Sequence, residues 1–149
     1  LGSLAENMSL DDWDIIVRTH LRSTFLCSKY AVPFMRERGF GRIVNTSSMN
    51  VTGGGRPGVT NYSAAKGGVV SLTRSLAIEF AAKGVTVNAL SLGTMNNWEG
   101  SDEVARKSAF VPRAGSPADV GAGVAYLASR EAEWVTGQVY PLNGGALTA

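Results

Sequence analysis

The chain has 149 residues, yet it contains only one cysteine and one histidine. A single cysteine, Cys27, cannot form a disulfide within the chain, which fits a reducing compartment, so we expect a cytoplasmic protein. Cys27 lies in an apolar helical stretch, where a small buried side chain is expected rather than a reactive thiol. A metal site needs several ligands, and His20 has no partners that the sequence offers, so no metal centre is predicted.

Charge of one sign and long apolar runs are also scarce. The 14 Lys and Arg residues against 12 Asp and Glu give a formal net charge of +2, and without a basic run nucleic acid is not an expected partner. No apolar stretch approaches the roughly 20 residues of a membrane span, and the first residues lack the pattern of a signal peptide. We therefore expect no membrane partner and one globular domain with its own core.

One stretch in the first half of the chain carries the most informative pattern. Residues 42–46 form a short run rich in β-branched residues, which predicts a buried strand that stops at Ser47 and Ser48. A glycine-rich bend follows, and then Tyr62 and Lys66 open a segment with apolar residues at helical spacing. Those residues are Val69, Leu72, Leu76 and Phe80. Positions i and i+4 share one face of a helix, so the phenol and the ammonium are expected to point the same way.

A tyrosine beside a lysine can act as a general acid or base. A free tyrosine has a pKa of about 10, but a cation about 4 Å away, at an effective dielectric of about 20, favours the phenolate by roughly 4 kcal/mol. One pKa unit corresponds to about 1.36 kcal/mol, so a shift of about two or three units is within reach before desolvation subtracts from it. Taken alone, the Tyr-x-x-x-Lys spacing is better explained by a solvated helix face. The combination with a strand, two serines and a glycine loop is what favours catalysis.

Over nearly its whole length the chain resembles the short-chain dehydrogenase/reductase family. The segments that carry the resemblance are Asn45-Thr46-Ser47-Ser48, Tyr62-Ser63-Ala64-Ala65-Lys66, residues 84–93, residues 113–120 and residues 136–145. The resemblance implies an oxidoreductase that passes a hydride between a nicotinamide cofactor, NAD or NADP, and a small-molecule carbonyl or secondary alcohol. It also implies a homodimer or homotetramer.

The resemblance assigns roles to four side chains. Tyr62 would be the general acid/base, Lys66 would lower its pKa and hold the nicotinamide ribose, and Ser48 would orient the substrate oxygen. His20 stands where the family usually has an asparagine that helps to hold a water-linked proton relay. We expect His20 either to join such a relay or to be a structural residue, and the sequence does not decide between the two.

A second group of residues is expected to face the cofactor. Leu92, Gly93 and Thr94 match the family's Pro-Gly loop, with leucine in place of the proline, and are predicted to bind the nicotinamide end together with Tyr62 and Lys66. A formal G-x-G-x-x-G match at residues 53–58 is not predicted to bind phosphate. The proline at position 57 removes a backbone N–H that an anion would need.

The remaining elements follow from capping signals and periodicity. A first helix is predicted from Ser9 or Leu10, capped by Ser9, kinked or divided near Pro33 and ending over residues 36–39. The tyrosine helix is expected to run over 61–83 and end at Gly84. Strands are predicted at 85–90 and 138–142, and Ser116 is predicted to cap a last helix. The inward residues of that helix are expected to be Val120, Val124 and Leu127.

This order, helix-strand-helix-strand-helix-strand, is the later half of a doubly wound α/β sheet of the Rossmann type. We therefore interpret residues 1–149 as the C-terminal catalytic part of a single dehydrogenase domain. The Gly-rich pyrophosphate turn is absent, so the chain alone should bind cofactor weakly. Strand 42–46 also lacks its inner neighbour and should have an open edge. The resemblance implies that the two long helices pair across a dimer axis, so we expect apolar residues on their outward faces. Residues 95–116 are expected to be irregular, either a substrate lid or plain helix and loop. The alternative function is a non-catalytic fragment that serves as an oligomerisation module.

Overall fold

The structure, a computed structural model, describes residues 2–53 and 55–146. Its helices and strands alternate along the chain as α1 (Leu10–Val17), a π-helical turn (Arg18–Arg22), α2 (Ser23–Glu37), β1 (Gly41–Ser48), α3 (Asn50–Gly53), α4 (Thr60–Phe80), β2 (Val85–Leu92), α5 (Ser101–Ser108), α6 (Pro117–Ala128) and β3 (Val139–Leu142). Short 3₁₀ turns lie at Ala5–Asn7 and Ala81–Lys83.

The three strands form one parallel sheet in the order β1-β2-β3. Gly41 pairs with Val85, and the ladder continues to Ser48 opposite Leu92. Helices connect the parallel strands, which confirms the predicted α/β class with a Rossmann-type sheet. β1 and β2 are longer than predicted, because backbone pairing continues through the serines, whereas β3 begins one residue later than predicted. Within the described residues, β1 pairs only with β2, so its other edge is open, as expected.

The core lies between α4 and the sheet. Leu76 and Ala77 of α4 pack with Val85 and Val87 of β2, and all four residues are buried. Val69 is also fully buried, and Leu72 and Phe80 pack against the margin of this cluster. The predicted apolar stripe of α4 is therefore confirmed, and it fixes which face of the helix turns toward the strands.

The predicted helix ends are confirmed in detail. The hydroxyl oxygen of Ser9 accepts a hydrogen bond from the backbone N–H of Asp12 (3.1 Å) at the start of α1. Ser116 and Asp119 form a reciprocal capping box at the start of α6, with a proline in its first turn. Gly84 ends the α4 segment with a φ of 76°, the left-handed conformation that glycine adopts without strain.

Pro33 does not divide the first helical segment, so that part of the prediction is wrong, and the kink that was its alternative stays a prediction. The α2 helix runs through Pro33 without a break, and the irregular turn lies earlier, at Arg18–Arg22. Pro33 and Lys29 are both exposed. The carbonyl of Lys29, which loses its helical N–H partner, lies on the solvent side, where the missing bond costs least.

Two predicted burials are wrong. Cys27 is exposed, because it lies on the face of α2 that borders a groove along the open edge of β1. Val124 is 38% exposed, because Gly123 takes the inward position on α6. A Cβ at Gly123 would lie only 3.4 Å from Leu90 Cδ2. Leu127, four residues further along the same face, is buried as expected.

Residues 95–116 contain α5, which agrees with the predicted alternative of plain helix and loop, and a role as a substrate lid stays a prediction. Asp102 and Glu103 lie in its first turn, where negative charge suits the helix dipole. Lys107 forms an i,i+4 ion pair with Glu103 (2.6 Å) on the exposed face.

The outward faces of the helices carry large apolar side chains, as expected. Leu10 of α1 is 81% exposed, Phe34 of α2 is 64% exposed and Ile78 of α4 is 85% exposed. The assembly that would cover them stays a prediction. Among the residues that the structure describes, no helix combines the length and apolarity needed to span a membrane.

Candidate active site

The start of α4 is fixed by an asparagine that the sequence reasoning did not single out. Asn61 is 1% exposed, and its amide donates a hydrogen bond to the backbone carbonyl of Asp12 (3.0 Å). Its side-chain oxygen accepts from the N–H of Tyr62 (2.8 Å). Asn61 therefore ties the first turn of α4 to α1 and fixes the backbone that carries Tyr62. The signal in the sequence was an asparagine at the N-terminal end of a helix, where side-chain capping is common.

Lys66 points toward the sheet, and not toward bulk water. The residue is 7% exposed, and its ammonium donates to the backbone carbonyl of Thr46 near the carboxyl end of β1 (2.8 Å). The same nitrogen lies 5.7 Å from the centre of the Tyr62 ring. Burial lowers the pKa of Lys66, because a desolvated ammonium is less stable. The expected shared face of Tyr62 and Lys66 is therefore present in the structure.

The two serines at the end of β1 occupy different positions. Ser47 is 1% exposed and donates its hydroxyl hydrogen to the backbone carbonyl of Lys66 (3.1 Å), so it anchors α4 to the strand. The hydroxyl oxygen of Ser48 accepts from the N–H of Asn50 (3.3 Å). That bond uses the oxygen as an acceptor, and the hydroxyl hydrogen can still be donated to a substrate. Of the two, Ser48 is the better candidate for a substrate contact.

His20 lies against the tyrosine. The two ring centres are 5.1 Å apart and the rings are nearly perpendicular, with an interplanar angle of 87°. The pKa of His20 is lowered, mainly by burial and secondly by the positive charge of Lys66. His20, Lys66 and Thr46 line a groove of about 430 Å³ along the open edge of β1. The structure thus brings three of the four predicted catalytic side chains, His20, Tyr62 and Lys66, into one cluster.

Leu92, Gly93 and Thr94 lie at the end of the neighbouring strand. Leu92 is the register partner of Ser48, so both groups of predicted residues meet at the carboxyl edge of the sheet. Gly93 donates its N–H to the carbonyl of Leu142 (3.0 Å), and a Cβ there would lie 2.6 Å from Asn143 Cα. This close approach of two backbones requires glycine.

Beyond β2 the chain borders a smaller cavity of about 250 Å³. The carbonyl of Thr94 accepts from the N–H of Gly115 (2.9 Å), which holds the loop against the segment before α6. On the far side of that cavity, Arg113 forms a two-pronged ion pair with Asp119 (2.7 and 2.9 Å). This pair links the segment that follows α5 to the first turn of α6, and the sequence did not predict it.

Three comparisons identify similar proteins. A family model described as "Enoyl-(Acyl carrier protein) reductase" matches residues 1–147. Nodulation protein G of Azospirillum brasilense is 43% identical over 144 residues, which are 93% of this chain and 58% of that protein. The 3-oxoacyl-(acyl-carrier-protein) reductase FabG of Thermotoga maritima is 38% identical over 149 residues, 96% of this chain and 60% of that protein.

A solved structure gives the same result for the fold. The crystal structure of a putative gluconate dehydrogenase from Agrobacterium tumefaciens superposes with a TM-score of 0.91 at 28% sequence identity. The match covers 99% of this chain and 61% of that one. The chain therefore spans less than two thirds of the length of the relatives named above.

Proposed function

The chain belongs to the short-chain dehydrogenase/reductase family, and from this premise we propose that it carries the reaction residues of an NAD(P)-dependent oxidoreductase. The substrate would be a small molecule with a carbonyl or a secondary alcohol. The observation that carries the proposal is the buried ammonium of Lys66, held by the carbonyl of Thr46 and 5.7 Å from the ring centre of Tyr62. Lysine side chains are rarely buried, because burial removes water from the ammonium at a cost in free energy, so a buried lysine indicates a functional role.

The residues at this edge of the sheet fit the nicotinamide end of a dinucleotide. An ammonium has three donors, and the bond to Thr46 uses one, so Lys66 can offer others to ribose hydroxyls. Leu92, Gly93 and Thr94, at the end of the adjacent strand, would face the nicotinamide ring and its amide. When bound, NAD or NADP supplies or accepts the hydride.

The proton steps fall to the side chains of the chain itself. In the direction of reduction, Ser48 donates a hydrogen bond to the carbonyl oxygen of the substrate and holds it in line with the phenol of Tyr62. As the carbonyl carbon gains a hydride, its oxygen takes the phenolic proton, and an alcohol and a phenolate result. The ammonium of Lys66 stabilises that phenolate by charge. Oxidation runs through the same steps in reverse.

The printed names of the relatives support an oxidoreductase, but they differ in substrate. One is a 3-oxoacyl-(acyl-carrier-protein) reductase and another is a putative gluconate dehydrogenase. We therefore propose the reaction class and leave the substrate at a carbonyl or secondary alcohol. We also propose a homodimer or homotetramer, because the exposed apolar side chains of α2 and α4 need cover.

The test is Tyr62→Phe in the full-length natural protein, assayed by nicotinamide absorbance against a panel of ketones and secondary alcohols. Loss of a positioned general acid typically costs about 10²- to 10⁴-fold, so kcat should fall by that order. Tyr30→Phe is the matched control, since Tyr30 is 65% exposed on α2, away from the cluster. Turnover of Tyr62→Phe equal to that of the control would refute the assignment.

The same exposed helix faces favour a second candidate, a non-catalytic oligomerisation module. Light scattering and a cofactor titration separate the two functions. A stable oligomer that neither binds NAD(P) nor turns over any substrate in the panel would favour the module.

A further inference from the structure

The first turn of α4, which carries Tyr62, suggests a role for the buried Asn61 that deepens the proposed function and rests on it. The helix begins at Thr60, so Tyr62 is only its third residue. The first N–H groups of an α-helix have no acceptor within the helix, and the residue before the helix, Val59, forms no side-chain cap. The proposed general acid therefore lies in the part of α4 that the helix itself holds least well.

The segment that leads into α4 does not supply the missing support. It is a glycine-rich bend, in which Gly55 and Gly58 have φ of 75° and 88°. Glycine allows such left-handed conformations, but it also has the largest conformational freedom of any residue once a contact is lost. The first turn of α4 therefore needs an anchor from elsewhere in the chain.

Asn61 is that anchor, and it acts from inside the helix. Its side-chain oxygen accepts from the N–H of Tyr62 (2.8 Å), and its amide donates to the backbone carbonyl of Asp12 (3.0 Å). The start of α1, which provides this carbonyl, is itself fixed. The Ser9 hydroxyl accepts from the N–H of Asp12 (3.1 Å) and donates to its carboxylate (2.9 Å). The backbone at Tyr62 is thus held by two helices.

We propose that Asn61 is a positioning residue for the proton transfer, because it keeps the phenol of Tyr62 within reach of the substrate oxygen. Proton transfer needs the two heavy atoms about 2.6–3.2 Å apart, and a misplacement of about 1 Å can cost about 10²-fold in rate. Without the two bonds of Asn61 the first turn of α4 can shift, and the phenol reaches this distance less often.

The groups proposed to bind substrate and cofactor do not depend on Asn61. Ser48 is part of β1, and Lys66 is held to β1 through the Thr46 carbonyl and the Ser47 hydroxyl. The loss of Asn61 should therefore lower kcat and leave substrate KM and cofactor Kd nearly unchanged. General damage to the fold would change all three.

The first test is Asn61→Ala in the full-length protein. We expect kcat to fall by about 10- to 100-fold, with little change in KM or in the Kd of NAD(P). The ratio of kcat in H₂O to kcat in D₂O should be larger than in the wild type, because a misplaced phenol makes proton transfer limit turnover.

Asn88→Ala is the matched control. Asn88 is also fully buried and also binds two backbone groups, since it donates to the carbonyl of Val135 (2.8 Å) and accepts from the N–H of Gln138 (3.1 Å). Those bonds hold β2 to the segment before β3, and not to Tyr62. This variant should lose stability as Asn61→Ala does, but keep the wild-type kcat and D₂O ratio in the folded protein.

Two further measurements apply even if Asn61→Ala does not fold. Asn61→Asp keeps an acceptor for the N–H of Tyr62, and its negative charge suits a helix N-terminus, but it cannot donate to the Asp12 carbonyl. Its kcat should be lower than in the wild type and higher than in any folded Asn61→Ala. In the wild-type protein, hydrogen exchange followed by NMR should find the amide of Tyr62 protected and that of Thr60, earlier in the same turn, exchanging faster.

A double-mutant cycle with Tyr62→Phe separates positioning of the phenol from damage to the site. Residues that act as a unit have strongly non-additive effects on rate. If Asn61 acts through the phenol, Asn61→Ala should change the residual kcat of Tyr62→Phe very little. A full multiplicative loss in the double variant would overturn the positioning role.

The outcomes distinguish this proposal from the proposed function. An inactive Tyr62→Phe together with the same kcat and D₂O ratio in Asn61→Ala and Asn88→Ala overturns the role of Asn61 and leaves the oxidoreductase intact. A Tyr62 amide that exchanges as fast as that of Thr60, or an Asn61→Asp variant with wild-type kcat, overturns it in the same way. Normal turnover of Tyr62→Phe overturns both proposals.

Discussion

Two buried threonines should respond in opposite ways to the same substitution. Thr73 of α4 is fully buried, donates its hydroxyl hydrogen to the carbonyl of Val69 (2.8 Å) and accepts from the side-chain amide of Asn45 (2.9 Å). Thr86 of β2 is 7% exposed, and its hydroxyl has no hydrogen-bond partner among the described residues. Valine replaces threonine with nearly the same shape, so the substitution tests the hydroxyl alone.

The magnitudes follow from what each hydroxyl does. In Thr73→Val, the amide of Asn45, a residue that is only 7% exposed, loses its acceptor. Leaving a buried donor unsatisfied costs about 1–3 kcal/mol. In Thr86→Val, a buried hydroxyl without a partner is exchanged for a methyl group, which is expected to be neutral or to stabilise by up to about 1 kcal/mol. Threonine and valine have similar helix and strand propensities, so the backbone terms nearly cancel.

The assay is equilibrium unfolding in urea, followed by tryptophan fluorescence and circular dichroism. With a slope of about 2 kcal/mol/M, a loss of about 2 kcal/mol in Thr73→Val lowers the midpoint by about 1 M. The slopes should be unchanged if the transition stays two-state. If both variants shift the midpoint in the same direction, or if Thr73→Val shifts it by less than Thr86→Val, the hydrogen bond between Asn45 and Thr73 does not have the assigned role.

Two further predictions concern a turn and an ion pair. Gly84→Ala should destabilise by at least about 1–2 kcal/mol, the usual cost of the left-handed conformation, because φ is 76° and a Cβ would lie 2.1 Å from the Gly39 carbonyl oxygen. The control is Gly121→Ala, because a Cβ at this position on α6 would meet no neighbouring atom. This variant should be slightly more stable than the wild type in the same urea unfolding experiment. Hydrogen bonds from Arg113, and secondly from Ser116, hold the pKa of Asp119 in the folded protein well below its usual range. The Asp119 carboxylate therefore stabilises the fold at pH values above its pKa in the unfolded chain, which is about 4. This stabilisation is lost as the pH falls toward the pKa of Asp119 in the folded protein. The unfolding midpoint between about pH 5 and pH 2 should therefore fall less steeply in Asp119→Asn, and equal slopes would contradict the role of the pair.

Helix ends could be predicted from the sequence because local chemistry determines them. Ser9 and Ser116 cap their helices through bonds to the N–H three residues on, and Gly84 ends α4 with its own φ. Strand ends could not be predicted in this way. Ser47 and Ser48 continue β1 only because Ser91 and Leu92 continue β2 beside them, and a ladder is decided by both strands.

The prediction of burial failed for residues whose environment is formed by segments distant in the sequence. The helical pattern around Cys27 indicates an apolar environment, but the groove that exposes it is formed by β1, which comes later in the chain. At α6 the prediction was wrong at one position only, since Leu127 is buried as expected but Gly123 fits against Leu90 where Val124 was expected. A pattern of apolar side chains does not include glycine, although glycine allows the closest packing between a helix and a strand.

In the candidate site too, contacts between residues close in sequence could be predicted, and contacts between residues distant in sequence could not. The i,i+4 spacing predicted that Tyr62 and Lys66 share a face, which is a local statement. It did not predict which groups hold Lys66, because those groups lie about twenty residues away on β1. Thr46 binds the ammonium through its carbonyl, and Ser47 binds the carbonyl of Lys66 through its hydroxyl. Two consecutive residues of the strand thus hold both ends of one lysine, so its position depends on the sheet more than on the helix that carries it.

That arrangement gives the last residues of β1 separate roles around Lys66. A lysine with four side-chain carbons samples many rotamers, and a mobile ammonium would stabilise a phenolate only part of the time. Ser47 fixes the backbone at Lys66 and Thr46 fixes the tip, which leaves Ser48 at the strand end to meet a substrate. The Thr46 bond offsets part of the cost of burying the ammonium, and the same burial strengthens its charge interactions with any group beside it. The proposed chemistry therefore needs β1 to extend through the serines, which is the feature of the strand that its own sequence did not predict.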